Sequence, residues 1–179
     1  MTMKIDSRLA WKGWIVAGLL AAVAVIGHAD HAVAQNTVGG HFGVAFPLVT
    51  RADGRTTNLG DNFTTAFPMG ITIKRQGSKM AFDLELVPAI QDSPRTVNLT
   101  VHPGLIWDLG GNWAGGIRAA FDVNQPSWGF TPLLARAFPI TGHNFKVFVE
   151  VDVPIRFQKP SIGNNVTAVT LAIHVGTAF

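Results

Sequence analysis

Ser93 follows Asp92 in the stretch "QDSPR", and the chain also carries six histidines. A serine nucleophile needs an imidazole within hydrogen-bond reach and a carboxylate to orient it. His41, His102 and His174 fall toward the opposite end of their extended segments from Ser93, and His143 falls in a tight turn at that opposite end. Asp, Ser and Pro are also ordinary turn formers. The expectation is therefore no catalytic residue. Metal chemistry is no better served. There is no cysteine, and no histidine pair has ligand spacing. "RADGRTTNLGDN" holds Asp53 and Asp61 without the regular spacing of a calcium loop, and it reads as a mobile polar loop. No metal and no cofactor are expected.

The remaining chemistry-bearing residues are charges that recur with a period of two. Lys74, Asp83, Glu85, Arg118, Asp122, Arg136, Lys146, Glu150, Asp152 and Arg156 alternate with apolar neighbours, five of each sign. Charges that nearly balance suggest ion pairing in a buried space, since a buried charge must be paired. A face turned to water has no such obligation.

Period-two alternation means β-strands, so the elements positioning these charges are extended. Eight such runs follow Gln35: Val38–Val49, Ala66–Arg75, Lys79–Ala89, Thr96–Trp107, Asn112–Val123, Trp128–Phe138, Asn144–Phe157 and Val166–Phe179. Each has about 10–14 residues, against the usual five or six, and a tilted strand needs about 9–11 to cross a bilayer. "QGSK", "DLGGN" and "PITGHN" read as tight turns at one end. "TRADGRTTNLGDNFTT", "IQDSPR" and "QKPSIGNN" read as longer polar loops at the other, with the short "NQPS" beside them. Tight turns at one end and longer loops at the other are the asymmetry of outer-membrane barrels.

The two faces of the runs are unlike. Val97, Leu99, Val101, Leu105 and Trp107, with Phe145, Val147, Val149, Val151, Val153 and Ile155, form an almost uncharged face. The charged face is interspersed with Gly and Ala, which suits the cramped interior of an eight-stranded barrel. The polarity expected is grease outward and charge inward. Aromatic residues cap the greasy face in two belts: Trp107, Trp113, Phe138, Phe145 and Phe179 at the tight-turn end, Phe46, Phe67, Trp128 and Phe157 at the loop end. Pro103 and Pro132 fall inside runs where a closed barrel needs every N–H, so bulges are expected there. Keeping Arg136 off lipid requires a register slip near Pro132.

Composition agrees. Charged residues are 14% of the chain against a usual quarter, so much of the surface is expected to avoid water. Lys4, Arg8 and Lys12, then "GWIVAGLLAAVAVIG", then Ala32-Val33-Ala34 read as a cleaved signal peptide over residues 1–34, leaving a single domain over 35–179. That domain has 11 Lys+Arg and 9 Asp+Glu, so its basic pI reflects few charges and no nucleic-acid partner is implied.

The alternation, the turn asymmetry and the final "LAIHVGTAF" resemble the small eight-stranded outer-membrane barrels of the OmpA/OmpX type, over about 38–179. That resemblance implies an all-β, antiparallel, up-and-down transmembrane barrel in the bacterial outer membrane, present as a monomer. It implies that Leu171, Ile173, Val175 and the terminal Phe179 are read by the barrel-assembly machinery. Departures are the absence of tyrosine and the two prolines. Some barrels of this class modify lipid A, and Asp92-Ser93 is similar to the Asp-Ser of a lipid A palmitoyltransferase; the His-x-Ser of the related deacylase is missing. A structural or surface-interaction role through the loops, with a plugged polar lumen, is therefore expected. A lipid-modifying enzyme and a soluble periplasmic ligand-binding barrel are the alternatives. Arg51, Arg55 and Arg95 in the outer loops are candidate contacts for lipopolysaccharide phosphates.

Overall fold

A computed structural model describes residues 36–92, 94–159 and 165–179. The signal peptide read over residues 1–34, and Ser93, lie outside the described residues. Eleven strands form one sheet: β1 (Asn36–Ala52), β2 (Arg55–Asn58), β3 (Thr64–Ala66), β4 (Met69–Arg75), β5 (Met80–Gln91), β6 (Thr96–Gly110), β7 (Trp113–Asp122), β8 (Ser127–Pro139), β9 (Lys146–Asp152), β10 (Ile155–Gln158) and β11 (Val166–Ala178). β3 with β4, and β9 with β10, are single staves interrupted at Pro68 and Pro154, so the ring has eight staves. Every neighbour pairs antiparallel, and β11 returns to pair with β1 from His41↔Ala178 to Ala52↔Ala168. Phe179 completes the seam by exchanging two backbone hydrogen bonds with Gly40, each 3.0 Å. The result is an eight-stranded antiparallel up-and-down barrel.

Alternation along each stave separates two environments. Val151 is 44% exposed and its neighbour Asp152 only 7%. The same contrast recurs at Leu84 beside Asp83 and Glu85, and at Ile117 beside Arg118. Charge is inside and aliphatic surface is outside. Outer-face residues run on one stave from Phe145 to Phe157, a length that projects to roughly 30 Å at ~3.3 Å per residue and a tilt of about 40°. Rings cap that stave at both ends: Phe145 near His143, and Phe157 packed 4.8 Å from Trp128.

The expected bulges at Pro103 and Pro132 are not there. β6 keeps one register on β7 from Val101↔Phe121 to Gly104↔Arg118, and Ile117↔Pro132 continues unbroken into Arg118↔Thr131. A proline removes a donor but not an acceptor. Val153 donates to the Pro132 carbonyl at 3.0 Å, and Gly43 and Thr170 donate to Pro68 and Pro154 at 2.9 Å. The ladder loses half a rung and holds its phase. Register shifts instead between Pro47 and Val49 on β1, and between Asp108 and Gly110 beside a tight turn. The first inserts Leu48, which turns Thr50 inward to meet Thr170 at 2.9 Å and leaves Arg51 outward.

The segment read as a mobile polar loop is partly strand. Val49–Ala52 pairs with β2 through a two-residue turn at Asp53 (φ 48°) and Gly54 (φ 71°). Two successive positive φ values define the hairpin turn for which Asp-Gly is suited. Asp61 and Asn58 spend their side chains on local backbone N–H groups.

Close approach matters most at Gly129, opposite Arg156, where a Cβ would run into the Ile155 carbonyl and the Arg156 backbone. Gly129→Ala is expected to prise β8 from β10 and to destabilise the fold by about 1–3 kcal/mol. Urea titration of the detergent-folded protein, read by the unboiled gel shift, checks this.

Candidate functional site: the charged lumen

Three staves deliver the central cluster. β5 contributes Asp83 and Glu85, β7 contributes Arg118, and β9 contributes Glu150 and Asp152; all five are buried. Arg118 donates through Nε to Asp83 Oδ2 and through Nη1 to Glu150 Oε1, both at 2.8 Å. Glu85 Oε1 and Asp152 Oδ1 lie 3.8 and 3.9 Å from the same guanidinium. A planar fork with five N–H donors suits several carboxylates at once; an ammonium would not.

Three histidines, which the expected ion-pair network omits although they share the phase of the charged face, complete the cluster. His41 on β1 lies with Nε2 3.1 Å from Glu85 Oε1 and Nδ1 3.8 Å from Asp83. His174 on β11 places Nδ1 3.3 Å from Glu150 Oε1. His102 on β6 has Nδ1 3.0 Å from Glu85 Oε2 and Nε2 2.8 Å from Arg156 Nη2. A guanidinium only donates, so His102 Nε2 accepts and its proton is on Nδ1, directed at Glu85. His102 thereby links the Arg118 cluster to Arg156, which also donates to Thr131 Oγ1 at 3.1 Å.

Space for these side chains comes from glycines on adjacent staves. A Cβ at Gly104 would strike Arg118, one at Gly70 would strike His41, and one at Gly43 would strike His174. The signal was present in the sequence: among inward positions, Gly116 and Ala120 flank Arg118, Gly39 and Gly43 flank His41, and Ala172 and Gly176 flank His174.

Not every residue assigned to the network joins it. Arg136 is on the outer face, its guanidinium carbon 5.1 Å from the Trp113 ring centroid and 5.5 Å from that of Phe138. Without a slip at Pro132 its phase is outward, and the rings of the tight-turn belt accommodate the charge. Lys74 is at the rim, half-exposed, 3.4 Å from Asp108. Asp108 lies past the Trp107 ring; the Gly110 N–H and then Lys74 hold its carboxyl below the usual carboxylate range. Lys146 is exposed at the same rim. Asp122 accepts from Thr100 Oγ1 at 2.6 Å and Gln125 Nε2 at 3.2 Å in place of an ion pair. The expected five-to-five balance thus becomes Arg118 and Arg156 against five carboxylates, with imidazoles supplying the further donors.

Glu85, Glu150 and His174 offer ligand atoms within 4.8 Å of one another. The Arg118 guanidinium already lies among them, so that position is held by a cation of the chain itself. The loop arginines are not gathered: Arg51 faces outward with Val169, Arg55 is on the opposite face of its hairpin, and Arg95 lies 3.6 Å from Asp92. Leu171, Ile173 and Val175 alternate outward on the last strand, and the Phe179 ring lies across Gly40.

No family model matches the chain, and no curated protein matches it. Among solved structures, the chain is similar to the outer membrane protein OprG from Pseudomonas aeruginosa, at 14% identity and a TM-score of 0.38, over 80% of this chain and 93% of that one. A likeness that distant carries no argument about role.

Arg118→Met is expected to strand Asp83, Glu85, Glu150 and Asp152 without their shared donor. Breaking a buried pair from one side costs about 3–5 kcal/mol. The folded fraction recovered after refolding into detergent, measured on unboiled gels, should fall accordingly.

Proposed function

We propose that the chain is an integral outer-membrane barrel of the bacterial envelope, acting as a structural or surface-interaction protein through its longer loops. The observation that carries this reading is the inverted polarity: exposed aliphatic staves outside, buried Asp, Glu, Arg and His inside. A barrel in water would hide Val151 and expose Asp152. In lipid the arrangement is favourable on both faces, and the closed ladder leaves no edge in hydrocarbon. The OmpA/OmpX-type assignment, folding through the barrel-assembly machinery by way of Leu171, Ile173, Val175 and Phe179, and the monomeric state belong to the same proposal.

The lumen is proposed to be a plug with no solute pore. Arg118 reaches from β7 to β5 and β9, and the Glu85–His102–Arg156 chain runs from β5 to its neighbour β6 and on across the lumen to β10. Eight staves leave an interior about wide enough for side chains alone. A catalytic role is not proposed. The ring nitrogens of His41 and His102 are committed within the lumen, and Asp92 faces its loop neighbour Arg95.

Two measurements test this. Val151→Arg puts a charge near the middle of the outer face, where lipid penalises it by about 2–4 kcal/mol. Folded yield in lipid vesicles should drop, whereas a soluble barrel would tolerate or welcome the change. Among the candidate lipopolysaccharide contacts, Arg51 is the one turned outward at the loop end. Arg51→Ala should lower co-purifying lipopolysaccharide severalfold, with Arg95→Ala nearly neutral because Asp92 already compensates that charge.

A further inference from the structure

Arg136 stands in register with Trp113 on β7 and Val149 on β9, one pair in from Phe138. The carboxylates of those flanking strands, Asp122, Glu150 and Asp152, all project into the lumen. Among the described residues, lysine and arginine ion pairs are made by Lys74, Arg95 and Arg118, so Arg136 has no carboxylate partner. Trp113 and Phe138 attract the face of its guanidinium through their ring quadrupoles. Its in-plane N–H donors point away from the rings and need oxygen acceptors.

The depth of the group says which acceptor is available. Arg136 lies within the aromatic belt at the tight-turn end, among Trp107, Trp113, Phe138 and Phe145. Tryptophan and phenylalanine at this level mark the boundary between acyl chains and headgroups. The anion found there with paired oxygens is the lipid phosphodiester, which a guanidinium fork grips bidentately. The rings beside it offer an apolar wall to the first carbons of the acyl chains, and the indole N–H of Trp113 adds a donor at the same height.

We propose that Arg136, Trp113 and Phe138 form a binding site for the phosphodiester of a glycerophospholipid in the leaflet facing the tight turns. This rests on the membrane reading above, and it assigns to the outer face a specific lipid contact separate from the loop arginines.

The test uses the full mature chain, folded in mild detergent and stripped of lipid. Native mass spectrometry follows titration with phosphatidylglycerol and, in parallel, with diacylglycerol of the same chains. Wild type should hold one phosphatidylglycerol adduct whose apparent affinity falls about tenfold in Arg136→Gln, the loss of one bidentate charge-assisted contact. Arg136→Lys should restore part of it, and diacylglycerol binding should not depend on residue 136. Equal phosphatidylglycerol binding by wild type and a folded Arg136→Gln would overturn the site. So would glycerol phosphate displacing the lipid at equal concentration, since that marks an aqueous phosphate pocket. Recovery of folded protein from buffer without detergent would instead sink the membrane reading, and the site with it.

Discussion

One guanidinium organises the interior. Arg118 lies within 4 Å of carboxylates on two other staves, and among the described residues no other lysine or arginine ion-pairs with that set. Desolvating four buried acids is expensive, and attraction to a shared planar donor offsets that only if the geometry is good. Two contacts at 2.8 Å supply the geometry. The position of Arg118 on the fifth stave therefore fixes which residues of the third and seventh staves must face it. A slip of one residue in either stave would turn Asp83 or Glu150 out to the aliphatic face.

Shape and charge are coupled at this point. Arg118 and the imidazoles of His41 and His174 are accommodated because Gly104, Gly70 and Gly43 leave no side chain beneath them. The apolar ring of Phe148 enters the lumen the same way, over Gly176, and meets His174 edge-on at 4.8 Å. Large polar groups on one stave facing glycine on the next is how a narrow barrel fills itself without voids. On the proposed membrane reading the outside imposes no such matching, because acyl chains adapt to whatever contour the aliphatic residues present. This is why the exterior residues read as a simple apolar run, whereas the interior alternates bulky and vanishing side chains.

Much of the architecture was legible from alternation and turns. The staves, their antiparallel order and the outward phase of Val147, Val149 and Val151 follow from period two and from Gly-bearing turns. The site was legible in part. Asp83, Glu85, Arg118, Glu150 and Asp152 share a phase, and phase alone places them inside. Charge counting failed for Arg136 because it weighed the sign of a side chain above its position in the alternation. No slip is needed for Arg136, because the Trp113 and Phe138 rings accommodate it on the outer face and the histidines supply the donors it leaves out of the lumen. Imidazoles are hard to assign from sequence since they are equally at home as turn residues, ligands or core donors. Their role here is decided by partners from strands distant in the chain, such as Glu85 for His41 and Arg156 for His102. The Thr50–Thr65 segment misled for another reason: its strand β2 is polar on both faces, and period two cannot be seen where both faces meet water.

Pro132 and Pro154 show why phase can be trusted even where the ladder is broken. Val153 donates to Pro132, but the reciprocal bond cannot form, so the Val153 carbonyl loses its rung. An orphan carbonyl is the cheaper of the two possible losses, since it keeps a second lone pair and can accept weaker contacts. A bulge would restore no donor and would reverse every side chain beyond it. The consequence is visible across Pro154. Asp152 faces inward before it and Arg156 faces inward after it, two residues on either side, with β8 and β11 keeping one register throughout. Had the chain bulged there, Arg156 would point at the outer face and His102 would lose the donor that fixes its tautomer. Preserving alternation through Pro132 and Pro154 is thus worth more to this barrel than the hydrogen bonds they forgo.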